Sequence, residues 1–170
     1  LRPTATSLPT STPLPTPTLA PTEVVCAPAE EPFGAIWREY QNALGCARGE
    51  AYSTGGAEEH FERGTMIWRQ DRDDMLVVYD DGTWEAYQDL WNEGDPEYSC
   101  PDIAPESSPP TPIRGFGKIW CTYDKVREGL GNATDAERGF VGTVQVFEYG
   151  TILETDQGQV FVFYGNGTWT

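Results

Sequence analysis

Apolar residues Phe33, Ile36, Trp37, Tyr40 and Leu44 recur at spacings of three and four. That pattern predicts an amphipathic helix with Pro32 in its first turn and Gly45 as its C-terminal cap. The pattern returns at Phe116, Ile119, Trp120, Tyr123 and Val126, followed by Leu130 and Gly131. Each helical stretch leads through a polar, glycine-containing connection, residues 48–58 and 134–143, into short β-branched and aromatic runs. FERGTMIWRQDRDDMLVVYDDGTW spans Phe61 to Trp84, and FEYGTILETDQGQVFVFYGNGTW spans Phe147 to Trp169. Shared Phe-Glu-x-Gly-Thr and Gly-Thr-Trp ends make these an internal repeat. Gly64, Gly82, Gly150, Gly158 and Gly167 punctuate the runs, and Asp81-Gly82 and Asn166-Gly167 are hairpin signals because both residue types tolerate positive φ. The predicted fold class is α+β and β-dominated. It consists of two tandem repeats, each one helix followed by a three- or four-stranded antiparallel β-meander.

The copies are offset by 116 − 33 = 83 residues at the helix and 147 − 61 = 86 at the strands. A short insertion therefore falls between Tyr123 and Leu130. Strand three, Leu76 to Tyr79 and Phe161 to Tyr164, is apolar on both faces, whereas a sheet covered on one side alternates. Its second face needs a cover: the other repeat's sheet, a further copy of the protein, or the N-terminal segment. The last strand of the second copy looks cut short at Thr170, which would leave a sheet edge open to an added segment.

Four regions follow. Residues 1–25 are a Pro/Thr/Ser tract expected to form an extended arm, because its few apolar groups cannot build a core. Residues 26–91 form repeat 1, residues 92–115 a Pro-rich connector, and residues 116–170 repeat 2. The arm's threonines, Thr4, Thr6, Thr10, Thr12, Thr16, Thr18 and Thr22, are candidate O-glycosylation sites. Asn132 and Asn166, each in an Asn-x-Thr sequon, are candidate N-glycosylation sites.

A formal net charge of −16 over 170 residues argues against nucleic acid, which demands clustered Lys and Arg. It also disfavours anionic membrane surfaces, and no apolar run approaches the length of a spanning helix. Cys26, Cys46, Cys100 and Cys121 with a single His do not make a zinc site. They read as disulfides, and hence as an oxidising extracellular or cell-surface location. Leu1 opens the chain without a signal peptide, which fits a processed product. Three connectivities are possible; Cys26 with Cys46 and Cys100 with Cys121 is preferred, since it pins each lead-in segment to its own helix. Each bridge would close a loop of about 20 residues and contribute roughly 3 kcal/mol on the chain-entropy view.

Leu130-Gly131-Asn132-Ala133-Thr134-Asp135 followed by Phe147-Glu148-Tyr149-Gly150-Thr151-Ile152 is similar to the LGFP-type repeat of bacterial envelope and secreted proteins. The first copy resembles it through Trp37, Leu44-Gly45, Phe61, Gly64, Ile67 and Trp68. The resemblance implies a surface-associated, wall-proximal binding or spacer module with no enzymatic activity.

No nucleophile, phosphate-loop or zinc-protease motif is present, so no catalytic residue is expected, and neither a metal nor a cofactor. His60, just before the repeated Phe61, reads as an ordinary strand residue. The acidic group Asp71, Asp73, Asp74, Asp80 and Asp81 reads as solvated hairpin turns, without the spacing of an EF-hand loop. Trp37 matches Trp120 and Trp84 matches Trp169, which marks all four as core. Trp68 and Trp91 have no counterpart and are the candidate contact aromatics. The expected function is that of a non-enzymatic extracellular structural protein. It would self-assemble at the cell surface into an oligomer or a polymer such as a filament, with the arm of one copy docked on its neighbour. The alternative is a carbohydrate- or cell-envelope-binding module with a glycan ligand.

Overall fold

The computed structural model describes residues 26–101, 103 and 108–170. The expected arm, residues 1–25, lies outside them. The described chain is α+β and β-dominated, with three helices and a seven-stranded antiparallel sheet. In chain order the elements are α1 (Gly34–Leu44), β1 (Tyr52–Phe61), β2 (Gly64–Arg69), β3 (Asp74–Tyr79), β4 (Trp84–Gln88), α2 (Arg114–Thr122), α3 (Asp124–Leu130), β5 (Arg138–Val146), β6 (Gly150–Glu154) and β7 (Val160–Tyr164). The strand order is β4-β3-β2-β1-β5-β6-β7. Strands of the two sequence copies therefore share one sheet, joined where β1 pairs antiparallel with β5, Gly55 opposite Val141.

The helix ends follow the predicted signals. Gly45 and Gly131 take φ values of +73° and +77°, and their N–H groups donate to the Gln41 and Arg127 carbonyls. The second helical stretch differs from the first in being broken. Tyr123 is extended at φ −109° and ψ 99°, which ends α2 and starts α3. The break lies beside the expected insertion and absorbs it. Cys26 pairs with Cys46, and Cys100 with Cys121.

Each helix packs on the strands of the other copy. Phe33, Trp37 and Leu44 of α1 cluster with Phe147, Ile152 and Val162, whereas Phe116, Ile119, Val126 and Leu130 of α2 and α3 cluster with Phe61, Met66, Met75 and Val77. The repeated Phe-Glu-x-Gly signature is the docking surface for this exchange. Its glycine lets the last helical leucine approach: a Cβ on Gly150 would lie 2.7 Å from Leu44 Cδ2, and one on Gly64 would lie 2.8 Å from Leu130 Cδ2. Its glutamate accepts an N–H just past the helix, Cys46 to Glu148 at 3.1 Å and Asn132 to Glu62 at 3.2 Å. The helical tryptophans close the joint, with Trp37 and Trp120 Nε1 donating to the Gly45 and Gly131 carbonyls, both at 2.9 Å.

The opposite face of the sheet closes on itself. Ile67, Leu76 and Val78 meet Phe140, Leu153, Phe161 and Phe163 in one buried cluster. The far ends of the sheet are tied by reciprocal bonds: Trp84 N–H to Gly167 O and Trp169 N–H to Gly82 O, each 2.9 Å. Trp84 Nε1 donates to Tyr164 O and Trp169 Nε1 to Tyr79 O, at 3.0 and 2.7 Å. Strand three is thus covered on both faces from within the chain, by the other copy's sheet on one side and the other copy's helices on the other. Beyond β7, Thr168–Thr170 pair back onto it, with Thr170 N–H donating to Val162 O and Val162 N–H to Thr170 O.

Candidate functional site

Side chains alternate across a sheet, so directly paired residues share a face and form rows. One row on the helix-bearing face runs Ala57, Trp68, Met75, Tyr87 across β1 to β4. Next to it runs Glu59, Met66, Val77, Glu85. A cleft of about 200 Å³ is lined by Ala57, Trp68 and Met75 of the first row together with Trp91 and Arg114 to Phe116. The two unmatched tryptophans, 23 residues apart in the chain (91 − 68 = 23), are therefore brought together. Both are half-buried.

Trp91 lies in the segment after β4. Its backbone N–H donates to Asp89 Oδ1 at 2.9 Å, its Nε1 to Pro96 O at 3.3 Å, and the Arg114 guanidinium sits 5.7 Å from its ring centre. Trp68 Nε1 donates to Asp73 Oδ1 at 3.3 Å. Gly115 makes room at the base, since a Cβ there would lie 2.6 Å from Asp89 Oδ1 and 2.8 Å from Met75 Cε. Burial pushes the Asp89 carboxyl above the ordinary aspartate value.

Arg114 lines the same cleft. Its φ of +51° is in the left-handed region, which a non-glycine residue occupies at a cost of about 1 kcal/mol or more. Two carboxylates hold it there, Glu137 at 2.6 Å and Glu97 at 3.0 Å. Behind this ion pair a second cavity, about 380 Å³, is lined by Glu59, Tyr98, Thr111, Ile113, Arg114 and Glu137. The two cavities share Arg114 and Glu137, and Ala57 and Glu59 stand two residues apart on one face of β1. The Arg114–Glu137 pair thus borders both cavities.

Glu59 is 1 % exposed, and its Oε2 has no hydrogen-bond partner. Burial first, then the Glu137 and Asp135 charges, push its carboxyl up to about 8. It is accordingly a neutral acid at pH 7. The sequence offered no hint of it, because nothing in a lone Glu beside His60 announces burial.

Other predicted residues lie elsewhere. His60 Nδ1 is 2.8 Å from Asp135 Oδ2, and its backbone N–H donates to Asp135 Oδ1 at 2.9 Å. Of the acidic hairpin group, Asp71 binds the buried Arg69 at 2.6 Å, and Asp81 accepts from the Thr83 N–H and hydroxyl. Asn132 and Asn166 are exposed; Asn132 Nδ2 donates to Glu62, and Asn166 Oδ1 accepts from Thr168. The threonines from Thr4 to Thr22 lie outside the described residues.

No protein family, curated protein or solved structure matches this chain.

Proposed function

We propose that this chain is a non-enzymatic extracellular structural protein, built of two helix-plus-meander repeats that exchange helices. Its copies assemble by seating the N-terminal segment of one molecule in the Trp68–Trp91 cleft of the next. The observation that carries this reading is the meeting of the two unmatched tryptophans in one largely apolar cleft. Their partner is supplied by the chain's own sequence. Arg2-Pro3-Thr4, Leu8-Pro9-Thr10, Leu14-Pro15-Thr16 and Ala20-Pro21-Thr22 recur every six residues. Six residues are two turns of a polyproline II helix, so the four prolines fall on one side of such a helix. Polyproline segments dock in aromatic-lined grooves because little conformational entropy remains to be lost. Contact between one molecule's segment and the next one's cleft is head-to-tail and does not close unless the rotation does. The two disulfides are compatible with an extracellular setting, and no helix among the described residues is long and apolar enough to cross a membrane.

Light scattering of the full chain, of residues 26–170 and of Trp91→Ala tests the reading. The full chain grows in mass with concentration, and both variants stay monomeric. A full chain that remains monomeric at high concentration overturns self-assembly.

A second reading is favoured by the carboxylates on the same cleft. Asp89 and Glu137 stand beside the two rings, the combination of hydroxyl acceptors and flat apolar faces that suits a sugar. Binding on a glycan array that disappears with Trp68→Ala and Trp91→Ala supports a carbohydrate-binding module, and silence across a broad array counts against it.

A further inference from the structure

The two sequence copies make twin contacts at an offset of 86. Arg48 N–H donates to Val146 O and Thr134 N–H to His60 O; Ala47 bridges to Phe147 and Ala133 to Phe61. The Glu59 cavity therefore has a twin, lined by Gln145, Gly49 and Ala51 among others. Residue for residue, Gln145 stands for Glu59, Gly49 for Asp135 and Ala51 for Glu137. In the twin, Gln145 is 3 % exposed and its Nε2 donates to the Gly49 carbonyl at 2.9 Å. At these matched positions the fold thus accepts an amide, a glycine and an alanine for Glu59, Asp135 and Glu137, while the twin's lining carries its acids elsewhere, at Glu30, Glu31 and Glu50.

Those three acids are not equally provided for. Asp135 faces His60, at 2.8 Å, and Glu137 faces Arg114, at 2.6 Å. Of the three, only Glu59 keeps a buried oxygen without a partner; Gln145 Oε1 in the twin is likewise unpartnered, but it belongs to an amide that cannot take up charge. The groups around it are Met66 on β2, Asp135 and Glu137 from the segment before β5, Arg114 on α2, and Tyr98, Thr111 and Ile113 from the segment before α2. Arg114 is the one cation among them, and Glu137 and Glu97 already engage it. Among the described residues no three acidic, His or Cys side chains converge as ligands of a single ion. The missing complement is a group with N–H donors and one positive charge.

We propose that the Glu59 cavity is a subsite for a primary ammonium group, carried by an amino sugar whose neighbouring ring stacks in the Trp68–Trp91 cleft. This rests on the carbohydrate reading of that cleft. Binding a cation converts Glu59 from neutral acid to carboxylate and releases its proton. Below the pKa of the free acid, each unit of rising pH therefore strengthens binding, up to the point at which the amine itself loses its proton near 8.

The test is calorimetry of the full chain and of Glu59→Gln with tetrameric glucosamine, tetrameric N-acetylglucosamine and N-acetyl-lysine amide, at pH 5, 6 and 7. Two buffers of different ionisation enthalpy count protons released by the unmutated chain, which keeps the test sharp even if the variant folds poorly. The glucosamine tetramer should bind at least tenfold tighter than the acetylated one. Its affinity should rise close to tenfold per pH unit with about one proton released, and Glu59→Gln should abolish both effects. Equal binding of the two tetramers without pH dependence overturns the ammonium subsite and leaves the carbohydrate reading intact. Binding of neither overturns both and leaves arm-mediated assembly untouched. N-acetyl-lysine amide binding as tightly as the glucosamine tetramer overturns the assignment to a sugar.

Discussion

At the scale of single residues, Glu59 sets a stability cost that its twin avoids. Its carboxyl moves from an ordinary 4.5 to about 8 on folding. Between those values the folded chain holds a proton that the unfolded chain has released. The folded state is therefore favoured below about 4.5 and loses ground as pH rises through that window. At pH 7 the loss is on the order of 3 kcal/mol, taking ~1.4 kcal/mol per unit. Glu59→Gln, which copies Gln145, should stabilise the chain at pH 7 by part of that amount and flatten its stability between pH 5 and 8. Urea denaturation at several pH values measures both, and a variant less stable than the unmutated chain at pH 7 contradicts the account. A buried acid retained where the fold accepts an amide is what a binding site with its own requirements looks like. None of this was legible in the letters, because burial of one strand residue depends on a helix that arrives 55 residues later (114 − 59 = 55). The matched tryptophans were legible, since a large ring repeated at Trp37 and Trp120 requires the same indole partner in both places.

At the scale of elements, periodicity located the helices, the hairpin turns and the repeated glycines. It did not say which helix lies on which strands. Both copies carry the same complementary surfaces, so a helix fits either meander equally well by sequence. The connection lengths and the pairing of β1 with β5 decide for exchange. Leu44 and Leu130 report on it, each fully buried against a glycine of the other copy. Leu44→Ala should cost about 2–5 kcal/mol, the usual range for a buried leucine. Its distinguishing effect is regional: hydrogen exchange should speed first in β6 and β7, far from residue 44 in sequence, and less in β2 and β3. Leu130→Ala should reverse the pattern. Loosening confined to the strands that directly follow each mutated helix would show that the helices serve their own copies.

For the whole molecule, exchange makes the two sequence copies interdependent. The sequence marks strand three as apolar on both faces and leaves its cover open between the other repeat's sheet, a further copy and the N-terminal segment; within the fold Leu76 and Val78 meet Phe161 and Phe163, while Met75, Val77 and Val162 meet helices. Periodicity reports that a face is buried without saying by what, so it could not choose the other repeat's sheet from among those covers. The consequence is that neither copy has a complete core. A fragment of residues 26–98 keeps β1 to β4 but lacks α2 and α3, leaving Met66, Met75 and Val77 bare. A fragment of residues 99–170 keeps both of those helices and β5 to β7 but lacks β2 and β3, the strands those helices cover, and lacks α1 over Ile152 and Val162. Units of this size bury too little surface to offset their chain entropy unaided. Each oxidised fragment retains its own disulfide, Cys26–Cys46 or Cys100–Cys121, so the bridges do not tie one fragment to the other. Separately, both should show the weak near-ultraviolet circular dichroism and poorly dispersed amide spectra of unpacked chains. Mixed at equal concentration, they should recover the dispersed spectrum of the intact chain as a one-to-one complex, with the indole signals of Trp84 and Trp169 restored together because each bonds to the other half. Independent folding of either fragment would contradict helix exchange as the source of its core.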